Sequence, residues 1–442
     1  MSTTLRIEQL RQQAEDLARA AAAGDQAALA RIGSPKLSAA QLAIAREYGF
    51  PSWPRLKAYA ERLAAHGPEL QHGYHEDLDY YDGRAEGLLA SATDGTPGAV
   101  AAFRRYDAPL TRAGARAVIA REHGVPSWPA LRRHVAGLRE SGEPFARAFR
   151  AVEAHDLDAL RTILERFPEL VRARGTNGND LLGMASATCD ERVVQLLLDH
   201  GADVAHANVH GWTALHQSAY SNLPRMAQVL LDAGAPVAVS ARGDGGTPLV
   251  IALFWGNRAT AELLAERGVH PVNLRTAAGL GRLDLIATTE GAPRSFYRPH
   301  SGFPAWQPSD DPQEALDEAV AWAARNDRPE AIDVLAARGA ALDRDVYRGT
   351  PLAWAAATGR AAALRHLLAR GVDPNARSSF GGPDHGQDVT ALHLAAQNGD
   401  LDTIRTLIEL GADATIEDAL YHATPAGWAE HSGHPRAVEL LR

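Results

Sequence analysis

The sequence between Gly211 and Gly433 repeats one short pattern five times: GWTALHQSA from Gly211, GTPLVIALFWG from Gly246, GTPLAWAAATG from Gly349, VTALHLAAQNG from Val389 and ATPAGWAEHSG from Ala423. In four copies the threonine precedes a further glycine by the same 21 residues, in the pairs Thr213 and Gly234, Thr247 and Gly268, Thr350 and Gly371, and Thr390 and Gly411. Such a regular recurrence predicts a stack of similar units.

The residue types within one unit indicate a pair of short helices. Threonine is a good N-cap, and the proline or alanine after it stands in the first turn, where no backbone N–H needs a partner. A pair of alanines lets neighbouring helices stack closely, and a glycine turns the chain into a second helix with a Leu-Leu or Val-Leu face. A left-handed glycine ends that helix. One such pair cannot bury a core, so the units must stack on each other.

This pattern resembles the ankyrin repeat over roughly the last 300 residues of the chain. A weaker copy has Asp180 at the threonine position, and a first unit begins near Phe145. A shortened fifth unit begins at Asn273, with no length for an ordinary finger loop before it. We therefore predict an all-α fold, an ankyrin-repeat solenoid of about nine helix-hairpin units over residues 143–442. The resemblance implies a protein-binding scaffold.

A different duplication precedes the repeats. The segments AIAREYGFPSWPRLKAYAERLAAHG, Ala43 to Gly67, and VIAREHGVPSWPALRRHVAGLRESG, Val118 to Gly142, match without a gap at an offset of 75 residues. We predict a duplicated helical domain over residues 1–142, with copies at about 1–70 and 71–142. The AREYGFPSW-like motif resembles a short module of bacterial ankyrin-type proteins, which implies no chemistry. Two helices about a tight, mildly basic turn also leave a DNA-binding helix-turn-helix open as an alternative.

Composition narrows the classes of function. The 442 residues are 45% apolar and 22% charged, which is ordinary for a folded protein, and the net charge of −9 argues against wrapping a nucleic acid. The single cysteine, Cys189, excludes an internal disulfide and suits a reducing cytoplasm. No apolar run approaches the roughly 18 residues that span a bilayer. We expect a cytoplasmic protein with no membrane partner and no cofactor, and the His- and Asp-containing stretch at 72–83 lacks metal-ligand spacing.

Function is expected where the repeats depart from their own pattern. An insertion at residues 292–312 follows the fifth unit and carries aromatic and titratable side chains among prolines: Tyr297, Arg298, His300, Trp306, Asp310 and Asp311. An ordinary finger needs only turn residues, whereas this loop carries anchors and ionisable groups, as binding loops and lids do. The alternative is that its aromatics only cover the gap that the missing fifth finger leaves.

A second departure lies in the two residues before the turning glycine of each inner helix, which normally are polar and face the concave groove. They are Tyr220-Ser221 in the third unit, Phe254-Trp255 in the fourth and Arg325-Asn326 in the sixth. Bulky aromatics in an open groove need a cover, which is either the insertion or a bound partner. A third departure is the long finger at residues 378–388, where Asp384 and His385 lie at a glycine-rich tip.

Two functions fit these features. The first is a scaffold that binds another macromolecule through its groove, its fingers and the 292–312 loop, most readily a protein; the contact residues would be Tyr220, Phe254, Trp255, Tyr297, Arg298, Trp306, Asp384 and His385. The second is a small-molecule binding protein or cofactor-independent enzyme, an isomerase, lyase or cyclase, with the loop as a lid. His300 would then be the general acid or base, and Asp310 or Asp311 would orient it. The sequence leaves open whether there is catalysis.

Overall fold

The structure is a computed structural model, and it describes residues 5–242, 245–271, 273–289, 297, 299, 306–381 and 385–442. These residues form 27 α-helices and four short strands, so the predicted all-α class is confirmed. The chain divides into two compact units. Unit 1 consists of Met1–Gln217 and Gln228–Pro236, and unit 2 consists of Ser218–Ala227 and Val237–Arg442.

The duplicated sequence forms two sets of four helices in unit 1. Their bounds are α1 Ile7–Ala22, α2 Gln26–Ile32, α3 Leu37–Glu47, α4 Trp53–His66, α5 Leu78–Thr93, α6 Pro97–Arg105, α7 Arg112–Glu122 and α8 Trp128–Ala136, with a short α9 at Leu138–Ser141. The third and fourth helices of each set begin 75 residues apart, as the sequence offset requires. Ser52 and Ser127 stand at the N-cap positions of α4 and α8, but neither hydroxyl caps its helix.

Nine helix pairs follow. The inner and outer helices are α10 Pro144–Glu153 and α11 Leu157–Arg166, α12 Leu181–Ala185 and α13 Glu191–Asp199, α14 Ala214–Tyr220 and α15 Pro224–Asp232, α16 Pro248–Phe254 and α17 Arg258–Glu266, α18 Leu274–Leu280 and α19 Leu283–Thr288, α20 Pro312–Arg325 and α21 Pro329–Ala337, α22 Pro351–Ala357 and α23 Ala361–Ala369, α24 Ala391–Asn398 and α25 Leu401–Glu409, and α26 Pro425–His431 and α27 Pro435–Leu441. We call these pairs repeats 1 to 9.

The threonines that begin repeats 4 and 7 act as the pattern predicts. The Thr350 hydroxyl accepts the Ala353 N–H at 3.2 Å, and Thr247 caps its inner helix in the same way. At the other end of the unit, Gly371 has a φ of +89°, the left-handed conformation in which a side chain would be strained. These local rules fix where each helix begins and ends.

The four strands form two small pairs. In unit 1, β1 Gln71–His72 runs parallel to β2 Arg174–Gly175. In unit 2, β3 Ser378–Phe380 and β4 Gly386–Val389 pair antiparallel and form the long finger between repeats 7 and 8. The segment that the sequence suggests to be a glycine-rich surface loop is therefore largely a β-hairpin.

Repeats 4 and 6 contact each other across repeat 5, because small residues leave space between them. A Cβ on Gly279 of α18 would lie 3.1 Å from Leu253 Cδ2 of repeat 4 and 3.2 Å from Asn326 Nδ2 of repeat 6. A Cβ on Gly256 would lie only 2.5 Å from the Arg325 carbonyl oxygen. Glycine at both positions lets the ends of α16 and α20 come into direct contact, whereas a regular solenoid joins only adjacent repeats.

Candidate functional site

An aromatic cluster forms where repeats 4, 6 and 7 meet. Phe254, the last residue of α16, is fully buried, and its ring lies 5.8 Å from the Trp322 ring and 5.4 Å from the Trp354 ring, both edge-on. Trp322 and Trp354 are buried as well. The repeat pattern predicts Phe254 to be a groove residue that needs a cover, and the structure makes it the centre of a core.

The cluster encloses a cation. The Arg325 guanidinium carbon lies 3.7 Å from the centroid of Trp354 and 4.7 Å from that of Phe254, and Arg325 is 2% exposed. It donates one hydrogen bond to the Phe254 carbonyl at 3.0 Å and another to the Ala321 carbonyl at 3.1 Å. Burial lowers the pKa of Arg325 to about 9, and the negative charge of Glu318 opposes that shift. Ring faces and carbonyl oxygens thus replace the water that the charge loses.

The assignment of Arg325 and Asn326 to the open groove is therefore wrong. Asn326 is 0% exposed and donates to the Leu253 carbonyl at 2.8 Å. The two side chains hydrogen-bond the last two carbonyls of α16, because carbonyls at the end of a helix lack the usual N–H partner four residues further on. They are buried because repeat 4 closes over repeat 5 onto them. The central place of Arg325 was not predicted, and a cation among inner-helix tryptophans is the signal that could have indicated it.

Buried charge also joins repeats 5 and 6. Arg275 and Glu318 form an ion pair at 2.6 Å, with each side chain only 4% exposed. The other carboxylate oxygen of Glu318 accepts the Trp322 indole N–H at 3.0 Å. Because both charges are paired and hydrogen-bonded, the arrangement is rigid, and removal of one partner would leave a costly buried charge.

Three of the predicted contact residues remain partly exposed around this core: Tyr220, Trp255 and Trp306. The Tyr220 ring meets the Trp255 ring edge-on at 5.7 Å, and the Trp255 indole N–H donates to the hydroxyl of Tyr297 at 3.3 Å. Tyr297 belongs to the insertion, is 1% exposed and packs on Phe254 at 5.3 Å. This residue of the insertion therefore covers the groove aromatic.

Trp306 lies at the other side of the cluster. Its ring stacks on Tyr347 at 5.0 Å with an interplanar angle of 24°, and Tyr347 lies 6.5 Å from Phe254. A chain of three ring contacts, through Phe254 and Tyr347, thus leads from Trp255 to Trp306. We call the partly exposed rings of Tyr220, Trp255 and Trp306 the aromatic rim.

The remaining predicted residues are placed as follows. Asp311 is exposed and its carboxylate accepts the Gln313 N–H at 2.9 Å as the N-cap of α20, and Asp310 beside it is exposed as well. His385 begins the return of the long finger, and its ring lies 6.1 Å from that of Phe380 and 5.8 Å from that of Trp428. Arg298, His300 and Asp384 lie outside the described residues.

The described part of the chain contains no group of three or more His, Cys, Asp or Glu side chains that could hold a metal ion. Among the same residues, no helix has both the length and the apolar character needed to cross a membrane. Cys189 is exposed and has no disulfide partner.

Models of known protein families match the chain where several of the helix pairs lie. A model for ankyrin repeats in three copies matches residues 148–241, and a model for a single ankyrin repeat matches residues 349–379 and 387–419. The chain therefore contains ankyrin repeats, and such repeats indicate a protein-interaction scaffold.

Several known proteins are similar to parts of this chain. Transient receptor potential cation channel subfamily A member 1 of Homo sapiens is 21% identical over 371 residues, which cover 66% of this chain and 32% of that protein. Ankyrin repeat and KH domain-containing protein 1 of Homo sapiens is 37% identical over 105 residues, 24% of this chain and 4% of that protein. Palmitoyltransferase Hip14 of Drosophila melanogaster is 37% identical over 95 residues, 22% of this chain and 14% of that protein. The chain spans less than a third of each relative's length.

Proposed function

We propose that this protein is a cytoplasmic scaffold of bacterial type that binds a protein partner through the aromatic rim and the adjoining 292–312 insertion. The proposal rests on one observation: the aromatic side chains of the rim are partly exposed and are also held in place by their neighbours. Tyr220, Trp255 and Trp306 are each partly exposed, and each packs against another aromatic ring.

Fixed aromatic rings are good anchors for a partner because little conformational entropy is lost when they are covered. Trp255 is held by its hydrogen bond to Tyr297 and by contact with Phe254, and Trp306 is held by stacking on Tyr347. Tryptophan and tyrosine are also the residue types that dominate binding energy at protein interfaces. A partner that covers the rim would bury apolar surface without reorganising the repeats.

The N-terminal duplication is proposed to extend the scaffold, with the domain boundary at residue 142 as the sequence suggests. A largely buried ion pair supports a fixed junction at this point: Arg62 Nη2 of the first copy lies 2.9 Å from Glu143 Oε2 at the start of repeat 1. The ring of His72 stacks on Phe145 at 5.3 Å nearby. Both contacts lie within unit 1.

The experiment is quantitative affinity purification from the native host with three forms of the full chain. They are the wild type, the rim variant Trp255→Ala/Trp306→Ala, and the control Trp212→Ala. Trp212 is also a partly buried tryptophan whose indole N–H has a partner, Gln217 at 3.2 Å, but it lies outside the rim. Loss of each of the two tryptophan anchors is expected to weaken the complex by roughly 30-fold, about 2 kcal/mol.

The expected result is a protein retained by the wild type and the control and lost from the rim variant, while circular dichroism shows all three folded. Equal retention by the rim variant and the wild type would remove the basis of the proposal.

A further inference from the structure

An open cleft of about 360 Å³ lies between repeats 8 and 9, and no residue of the aromatic rim belongs to its described lining. Its described lining includes His385 of the long finger, Gln397 of α24, and Tyr421, Trp428, His431 and Ser432 of the last repeat. That volume lies in the lower part of the range for small-molecule sites. The cleft lies entirely in unit 2.

The cleft coincides with a change in the repeat pattern. The inner helices of repeats 3 and 8 have Leu and His at the second and third positions after the threonine, and His393 of repeat 8 is fully buried and hydrogen-bonded to Thr390. Repeat 9 has Ala426 and Gly427 at the same two positions. Gly427 lines the cleft, and a Cβ there would meet Ala423 Cβ at 3.3 Å and no backbone atom. The smaller residues leave space that a regular repeat would fill.

The walls are aromatic and their geometry is fixed. The Trp428 indole donates its N–H to Asp418 at 3.0 Å, which fixes the ring at the cleft. His385 meets that ring edge-on at 5.8 Å with an interplanar angle of 89°, and Tyr421 meets it at 6.5 Å and 67°. Such corners of perpendicular rings favour a further planar ring, because aromatic edges and faces carry opposite partial charge. Tyr421 is 57% exposed, so much of this wall is open to solvent.

The polar side chains of the described lining include the amide of Gln397, the hydroxyl of Ser432 and the imidazole of His431. Gln397 lies beside His385 in the lining, and His431 and Ser432 stand at the positions before the turning glycine. No carboxylate, guanidinium or ammonium group belongs to the described lining. Within the described lining, a ligand with a full charge would lose water without gaining a counter-charge, which is unfavourable.

We propose that this cleft is a binding site for a small, neutral, planar aromatic molecule of one or two fused rings that carries an amide-like hydrogen-bonding group. The ring packs in the corner of Trp428, His385 and Tyr421, and the polar group reaches Gln397, His431 or Ser432. The site goes beyond the proposed partner-binding rim and does not depend on it.

The test uses three probes that share the indole ring: indole-3-acetamide, which is neutral, indole-3-acetate, which is anionic, and tryptamine, which is cationic. Binding to the full chain is measured by isothermal titration calorimetry and by saturation-transfer difference NMR. The neutral amide is expected to bind at least tenfold more tightly than either charged probe, and Tyr421→Ala and Gly427→Leu are each expected to weaken it at least tenfold. The matched control is Leu410→Ala, which removes an exposed apolar side chain (48%) outside the cleft lining.

Three results would each overturn the proposal. They are no binding of indole-3-acetamide at millimolar concentration, binding of a charged probe as tight as that of the amide, and unchanged binding in Tyr421→Ala. Since Tyr421 is largely exposed, its truncation does not threaten folding, and thermal unfolding of Gly427→Leu shows whether that variant remains folded.

Discussion

Replacement of Phe254 by alanine tests whether repeats 4, 6 and 7 form one cooperative core. A buried phenylalanine replaced by alanine costs about 3–5 kcal/mol. Phe254 has no exposed surface and its ring meets those of Trp322 and Trp354 edge-on. Each such pair adds roughly 0.5–1.5 kcal/mol beyond burial, so we expect the upper end of the range, about 4–5 kcal/mol. Phe254→Leu keeps most of the volume and should cost about 2 kcal/mol.

The assay is native-state hydrogen exchange followed by mass spectrometry. In a solenoid that couples only adjacent repeats, a change in repeat 4 would not reach repeat 7. Because the ring of Phe254 touches Trp354, amides of α22 should exchange roughly a thousandfold faster in Phe254→Ala. Leu249→Ala, a buried residue of the same helix outside the ring cluster, is the control. If both variants change α22 to the same extent, or Phe254→Ala costs less than about 2 kcal/mol, the reasoning is refuted.

Three further predictions follow from single contacts. Gly256→Ala should lower the free energy of unfolding in urea by more than about 2 kcal/mol, because its Cβ would lie 2.5 Å from the Arg325 carbonyl oxygen. Gly268→Ala, also at positive φ but with open space around it, is the control and should cost about 1 kcal/mol. Equal costs for the two variants would contradict the close approach. Arg325→Lys should lower the melting temperature by several degrees, because lysine keeps the charge but cannot donate to two carbonyls while stacking on Trp354. An unchanged melting temperature would show that the positive charge alone stabilises the cluster. Burial lowers the pKa of His123 to about 3. In the unfolded chain this histidine becomes protonated near pH 6.5, whereas in the folded chain it stays neutral until a much lower pH. The free energy of unfolding should therefore fall as the pH drops from about 6.5 towards 3. His123→Gln should reduce that loss between pH 7.5 and 5, and an unchanged pH dependence would exclude this histidine as a cause.

The cluster around Arg325 illustrates how a polar residue can be misassigned from its position in a repeat. In most repeats the residues before the turning glycine face the groove, and Arg325 and Asn326 occupy that position by sequence. Their burial depends on glycines in other repeats, Gly256 and Gly279, that admit the end of α20. Periodicity describes one unit at a time, so it carries no information on a contact that skips a unit.

The sequence also predicts only part of the candidate site. The insertion and the pair Phe254-Trp255 are visible as departures from the pattern, and the structure does bring Tyr297, Phe254 and Trp255 together. Which of these rings is buried and which stays accessible depends on packing between repeats, and the sequence shows only that all are aromatic. Tyr347, which holds Trp306, lies in an ordinary finger and has no distinguishing sequence signal.

The amino-acid sequence by itself determined the helix pairs, their caps and their number, because threonine caps, left-handed glycines and apolar spacing act within a few residues of each other. It also determined the duplication before them, since identical local patterns fold alike. Only the tertiary structure decided that repeat 4 reaches past repeat 5 to enclose Arg325, and that a cleft remains open beside Trp428. Both outcomes depend on how much space small residues leave between elements far apart in the chain, and that space exists only after the repeats have stacked.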